Sequence, residues 1–261
     1  MCSAFRRFAL ACLIAIPASA QTATLRVCAD PNNLPFSNQE GQGFENKLAE
    51  LVATNMNERL EYTWWSERKS FAKKSLDAGA CDVVMGIPSS MPDVLTTKPY
   101  YRSSYMFVSR QDRKLEIRSL LDPRLADLRI GIHVVGDDFA PPALALAHRG
   151  IAQNVIGFSL FGQYGEPNPP RKLIDAVVSG DVDVAIVWGP FAGYFAQSAK
   201  APLAMAPVTP PMFTGVPFAY DISVGVRQDN EALKTQMDRV LTAQSGAVQQ
   251  LLSTYGVPQV P

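Results

Sequence analysis

One short pattern occurs in both halves of the chain, and it limits what the chain can fold into. A helix-periodic run at Phe71–Asp77 is followed by Gly79, two residues, then Asp82, Val83 and Val84. A second run at Arg171–Ser179 is followed by Gly180, two residues, then Asp183, Val184 and Ala185. In each copy the glycine can end the helix in a left-handed cap, and the aspartate opens an apolar run suited to a buried strand. Strands and helices alternate around each copy. Strands are expected at 25–29, 60–65 and 82–86 around helices at Phe44–Met56 and Phe71–Asp77. The pattern then returns, with strands at 128–134, 155–160 and 182–187 around helices at 142–148 and Arg171–Ser179. Such alternation implies parallel pairing with right-handed crossovers. Two units of this kind read as two α/β lobes, not as one continuous sheet. Residues 104–110 and 219–227 read as strands that cross between the lobes, and a single helix over 230–252 as packing back on the first. The expected division is a discontinuous first lobe, 21–108 with 219–261, and an inserted second lobe, 109–218.

The first twenty residues do not belong to this scheme. Arg6 and Arg7 precede the apolar run 8–16, and Ala18-Ser19-Ala20 is a small-residue cleavage pattern. That is the layout of a secretory signal over 1–20, with a mature chain starting at Gln21, soluble and periplasmic. No other segment approaches the length of a spanning helix. Removal of the signal leaves 22 basic against 24 acidic side chains, a formal charge of −2. A basic nucleic-acid footprint is therefore absent. Two cysteines remain, Cys28 and Cys81. In an oxidising compartment an even pair defaults to a disulfide, with two buried thiols as the alternative. The bridge would close a loop of about 50 residues and stabilise the fold by about 4 kcal/mol.

Longer stretches carry a family resemblance. The segments RVCADPNNLPF, GACDVVMG, TTKPYYRSSYMFVSR, ADLRIGIHVVGD and GDVDVAIVW, then the last strand and helix, resemble in order and spacing the type II periplasmic binding fold of solute-binding family 3. The runs at 28–38, 43–47, 62–65, 81–86 and 100–103 are more closely similar to the J proteins associated with quinoprotein methanol dehydrogenase, the MxaJ and XoxJ type. This resemblance implies a periplasmic accessory protein that serves a pyrroloquinoline-quinone (PQQ) alcohol dehydrogenase as partner. It implies no catalysis and no cofactor of the chain's own.

A two-lobed binder works by hinge closure around a groove, and in open α/β sheets ligands sit outside the carboxyl ends of the strands. Those ends nominate Asp30, Asn33, Phe36, Trp65, Ser89 and Ser90 from the first lobe, with Pro88 in the same loop. They nominate Gly136, Asp137, Asp138, Trp188 and Tyr194 from the second. The aromatics would form stacking walls, and the Asp and Asn side chains would orient a ligand or partner. Trp64 and Trp65, adjacent on a strand, face opposite sides, so one of them should be core.

An absence also counts. Amino-acid binders of this fold hold the ligand carboxylate with an arginine shortly after the strand that ends at Gly86, because bidentate guanidinium matches a carboxylate. Here no arginine lies between Pro88 and Lys98, and Arg102 comes only after Tyr100-Tyr101. The clamp is missing, which argues against the first rival reading, a solute receptor of an ABC importer. The second rival, an enzyme, would have Asp30 and Asp137 as its tempting carboxylates but no anchor for a substrate. His133 and His148 lack metal-ligand spacing, so His133 reads as packing. No nucleophile elbow and no nucleotide loop is present. Two connections, 161–170 and 209–218, are unusually apolar and proline-rich; Tyr164, Glu166, Pro167, Met212 and Phe213 are the candidate partner contacts. The dehydrogenase's c-type cytochrome would be a further partner.

Overall fold

The computed structural model describes residues 23–65, 71–135, 140–161 and 166–261. The expected signal at 1–20, the cleft candidates Gly136, Asp137 and Asp138, and Tyr164 lie outside the described residues.

Strands β1 (Thr24–Ala29), β2 (Arg59–Trp64) and β3 (Val83–Pro88) build the first unit with helices α1 (Phe44–Met56) and α2 (Phe71–Asp77). Strand β4 (Tyr101–Arg110) leads into β5 (Ile130–Val134), α3 (Pro141–His148), β6 (Val155–Ser159), α4 (Arg171–Ser179) and β7 (Val184–Trp188). Helix α5 (Gly189–Gln197), β8 (Leu203–Pro207), β9 (Ala219–Val226), α6 (Glu231–Ala243) and α7 (Ser245–Thr254) complete the chain. The sheet order is β2-β1-β3-β9-β4-β7-β5-β6, with β8 on the other edge of β4. Pairs β1–β2, β1–β3, β5–β7 and β5–β6 are parallel. Each unit is closed by an antiparallel strand that has crossed over from the other: β9 lies on β3, and β4 lies on β7.

The expectation of two unconnected sheets needs correction. Tyr101–Ser104 of β4 pair with Ile222–Ala219 of β9 before β4 goes on to β7, so the ladder runs without a break through both units. Crossing strands placed side by side satisfy their backbone groups on each other, and no edge is left between the units. The apolar interior is nevertheless divided. Leu25, Val27, Phe44, Leu48, Val52, Val83 and Met85 form one core with Met237, Leu241, Val248 and Leu252 from the chain end. The opposite face of that sheet packs Cys28, Phe71, Leu76, Cys81 and Val84. Residues of 106–218 fill two further cores, one around Ile130, Ile132 and Ile186, the other around Leu173, Val177, Val187 and Phe195.

The repeated pattern has a structural purpose. Gly79 and Gly180 both take positive φ, +64° and +85°. Arg26 grips Asp82 through Nε and the terminal nitrogen at 3.0 and 2.6 Å, while its other terminal nitrogen donates to the Gly79 carbonyl at 3.1 Å. Arg129 does the same to Asp183 at 3.0 and 2.9 Å and donates to the Gly180 carbonyl at 2.7 Å. Each unit therefore ties the end of a helix to the first strand of its sheet with one bidentate clamp. The Cys28–Cys81 pair is a disulfide.

The single helix expected over 230–252 is two helices, broken at Gln244, whose φ and ψ are −102° and 16°. The break re-aims the chain so that Met237 and Leu241 on one side and Val248 and Leu252 on the other all reach the same core. Neither tryptophan of the 64–65 pair is core. Trp64 is half-buried and stacks on Tyr62 at 4.7 Å, and Trp65, just past the strand, is exposed. The ring-on-ring contact along one face of an edge strand takes the place of burial.

Candidate functional site

A cavity of about 320 Å³ lies where the two units meet. Its walls come from the crossing strands. Tyr101 and Tyr105 on β4, and Tyr220 and Ile222 on β9, project to one face by the period-two rule. The intervening Arg102 and Asp221 are therefore turned to the other face, where they pair at 2.9 Å. Sequence order alone places Arg102 beside the groove; the pleat puts its guanidinium on the far side of the sheet. Trp188 ends β7 opposite Tyr105, with rings 5.5 Å apart, and its other neighbour is Tyr220 at 5.8 Å.

Phe36 closes the cavity from the first unit. The loop after β1 is held tightly by its own backbone: Phe36 N–H donates to the Asn33 carbonyl at 2.8 Å, and Glu45 N–H donates to the Phe36 carbonyl at 2.9 Å. Gly43 is needed there, since a Cβ on it would lie 2.0 Å from the Phe36 carbonyl oxygen. The Phe36 ring meets Phe44 of its own unit at 5.3 Å and Phe191 of the other, edge-on, at 5.0 Å.

Glu45, the second residue of α1, brings a buried carboxylate to the same wall. It fits because β3 carries a bulge. Ser223 pairs with Ile87 and Gly225 with Val84, so Met85 and Gly86 oppose the single residue Val224. Gly86 sits at φ +69°, and a Cβ there would lie 1.7 Å from Glu45 Oε1. Burial, with the Glu45 charge second, pushes the Tyr100 and Tyr101 phenols well above their ordinary value. Burial also pushes Tyr105 and Tyr220 up. All four stay protonated and can donate.

Of the residues nominated from strand ends, Phe36, Pro88 and Trp188 line the cavity. Asp30 is turned into its own loop: Oδ1 accepts from Asn32 N–H at 2.7 Å, and its carbonyl accepts from Ser37 Oγ at 2.8 Å. This is an Asx turn, a local use for which an aspartate is well suited. Asn33 is buried in the same loop. Ser89 is drawn onto β9, its Oγ 2.6 Å from that of Ser223, and Ser90 and Trp65 are exposed outside the cavity walls. Tyr194 stacks on Tyr255 at 5.9 Å and so ties α5 to the chain end. The neighbouring Asn32 joins the units directly, since its Nδ2 donates to the Glu166 carbonyl at 2.6 Å. His133 is packing, as expected. It is buried against Phe191, its Nε2–H donates to the Pro170 carbonyl at 2.9 Å, and burial lowers its pKa to about 4.

The sequence reading overlooked Glu45, Gly86, Tyr101, Tyr105 and Tyr220; among the described lining residues the carboxylate is Glu45. The available signal was the alternation Tyr101-Arg102 and Tyr220-Asp221, which sorts rings to one face and charges to the other. Among the partner-loop candidates, Met212 is exposed on a hairpin, and Phe213 packs against the core around Ile130. Glu166 pairs with Lys172, and Pro167 is exposed. Among the described residues no three His, Cys, Asp or Glu side chains form a metal-binding group, and no helix is long and apolar enough to cross a membrane.

Residues 25–258 match the bacterial extracellular solute-binding proteins, family 3. Protein MoxJ of Methylorubrum extorquens is 32% identical over 251 residues, covering 91% of this chain and 82% of that protein. The crystal structure of MxaJ from Methlophaga aminisulfidivorans MPT superimposes with a TM-score of 0.80 at 30% identity, covering 90% of this chain and 100% of that one. That of the periplasmic binding protein XoxJ from Methylobacterium extorquens AM1 gives 0.73 at 31% identity, covering 91% and 99%. These likenesses bear out the expected type II periplasmic binding fold.

Proposed function

Because this chain belongs to the bacterial extracellular solute-binding proteins of family 3, we propose that it is a non-catalytic periplasmic accessory protein of methanol oxidation. It binds a PQQ-dependent methanol dehydrogenase, with that enzyme's c-type cytochrome as a further partner, or helps the dehydrogenase mature. The carrying observation is the likeness to MoxJ, MxaJ and XoxJ along nearly the whole chain. The hinge agrees with it. Arg102 is committed to Asp221 on the outer face, so it does not offer the groove the guanidinium with which amino-acid receptors grip a carboxylate. The Cys28–Cys81 bridge suits an exported protein.

In this reading residues 21–108 with 219–261 and residues 109–218 are two lobes hinged at β4 and β9, exported through the signal at 1–20. The hairpin at Met212 and Phe213 and the loop at Glu166 and Pro167 supply the partner surface. The test is capture of purified dehydrogenase by the immobilised mature protein, measured for the parent and for Met212→Asp. Met212 is exposed, so its replacement leaves the core untouched and should weaken capture by about tenfold, the cost of one buried anchor. Absence of capture by the parent would refute the partner role. Parent-like capture by Met212→Asp would remove the hairpin from the surface.

The alternative, a receptor for an ABC importer, draws on the cavity itself, which is of the size small-molecule sites occupy. It requires a transported solute to bind tightly and the dehydrogenase not to bind.

A further inference from the structure

The chain end is built into both lobes. Helix α7 packs into the first-lobe core through Val248 and Leu252, and Val257 beyond it reaches the same core. Between them the chain turns at Gly256, φ +66°, and passes across α5 of the second lobe. Gly189, Gly193 and Gln197 are four residues apart, so they share one face of α5. Two of the three carry no side chain. A Cβ on Gly193 would stand 1.8 Å from the Gly256 carbonyl oxygen and 3.1 Å from Pro258 Cδ, and one on Gly189 would stand 3.6 Å from Pro258 Cδ. Gly193 lies inside the helix and takes no positive φ, so its backbone does not call for glycine. Alanine is the better helix former. What the missing side chain serves is the close approach of the chain end.

Polar contacts fasten this crossing along its length. Gln197 Nε2 donates to the Thr254 carbonyl at 3.3 Å. Ser103, fully buried on β4, donates its hydroxyl to the Pro258 carbonyl at 2.6 Å, and Val260 N–H donates to the Arg102 carbonyl at 3.2 Å. The Tyr255 ring stands between the lobes, 5.9 Å from Phe44 of the first and 5.9 Å from Tyr194 of the second, and its hydroxyl donates to the Gln42 carbonyl at 2.6 Å. The loop after β1 makes a second tie. Asn32 Nδ2 donates to the Glu166 carbonyl at 2.6 Å, and its Oδ1 accepts from Asn168 N–H at 3.4 Å. In the same loop Phe36 meets Phe191 of α5. One amide that both donates and accepts fixes the direction as well as the distance of the backbone it grips.

We propose that residues 254–260 are a strap which, together with the Asn32 amide, holds the two lobes at one fixed angle through the chain's own groups, so that closure does not wait for a ligand. Rotation about β4 and β9 would have to slide α5 against the chain end or break these contacts. A ligand closes a two-lobed receptor only by contacting the closed state better than the open one. Here contacts within the chain supply that difference. The inference rests on the two-lobe accessory reading and deepens it. A partner that spans both lobes meets a preformed surface, and less freedom is lost on docking.

The test is the distance between the lobes in the free mature protein, measured by pulsed electron paramagnetic resonance. Nitroxides go on Thr54→Cys, exposed on α1, and Gln153→Cys, exposed ahead of β6. The labelled parent should give one narrow distance. Gly193→Ala combined with Asn32→Ala should add a second, longer distance in about 10% or more of molecules, at least a tenfold rise from an open fraction of about 1% or less in the parent. If melting curves show that this pair fails to fold, Ser103→Ala, which removes the bond to the Pro258 carbonyl, takes the place of Gly193→Ala. A parent already divided between two distances overturns the strap and leaves the hinge standing. A folded pair that keeps the single parental distance overturns it as well. Neither result touches the capture assay, which contains the dehydrogenase and alone decides the partner role.

Discussion

Replacement of Gly86 by alanine tests whether the bulge exists to admit the Glu45 carboxylate. Two costs add. At φ +69° an L-residue bears the left-handed penalty of about 1–2 kcal/mol. The new Cβ would also stand 1.7 Å from Glu45 Oε1 and 2.7 Å from Cδ, so the carboxylate must swing out of its rotamer, at about 0.5–1.5 kcal/mol. Reduced freedom of the unfolded chain returns about 0.4–1 kcal/mol. The net loss should be roughly 1–3 kcal/mol, a fall in Tm of about 3–10 °C for a chain of this size. The decisive measurement is a double-mutant cycle by urea unfolding on the parent, Gly86→Ala, Glu45→Ala and the pair. With Glu45 truncated the collision disappears and the backbone penalty alone remains, so Gly86→Ala should cost about 1 kcal/mol less there than in the parent. Additive behaviour, with coupling below about 0.4 kcal/mol, would refute the reasoning. Gly86 would then serve the turn of the strand and nothing else.

Two further expectations follow from buried groups. His133 is held neutral, with a folded pKa of about 4 against an ordinary 6.5. The unfolded chain therefore binds the proton first, and the contribution is intact above pH 6.5 and lost as the pH falls towards 4. Between pH 7.5 and 5 the parent should lose about 2 kcal/mol more stability than His133→Gln, read as the difference between their urea-unfolding free energies. Equal pH slopes would show that the imidazole is not buried neutral. Reduction of Cys28–Cys81, which closes a 53-residue separation, should lower stability by about 4 kcal/mol, seen as a shift in urea midpoint with dithiothreitol. An unmoved midpoint after verified reduction would mean that the unfolded chain is already constrained there.

Much of the architecture was legible along the chain. Helices α1, α2 and α4 begin and end where their apolar periodicity does, and the glycine-x-x-aspartate repeat marks two equivalent clamps. Other features were not. No residue pattern announces the break at Gln244, because both of its flanks are good helix and only a shared core makes two axes better than one. Asp30 and Ser89 stand at strand ends with polar side chains, yet Asp30 Oδ1 accepts from Asn32 N–H in its own loop and Ser89 Oγ meets Ser223 Oγ on β9. Trp65 follows the same strand-end logic and is exposed.

The sequence by itself determined the strand–helix alternation, the two glycine-capped units, the cysteine pair and the want of an arginine after Gly86. All of these are properties of neighbours along the chain or of simple composition. The tertiary structure decided which groups face the cavity. β4 and β9 meet across more than a hundred residues of sequence, and their register, Tyr101 opposite Ile222 and Arg102 opposite Asp221, sends rings inward and charges outward. Glu45 reaches the wall only because a bulge in another strand leaves room for it. Periodicity is a local property that can be read from one segment. The direction a side chain takes relative to a distant partner depends on pairing between segments, which no single segment contains.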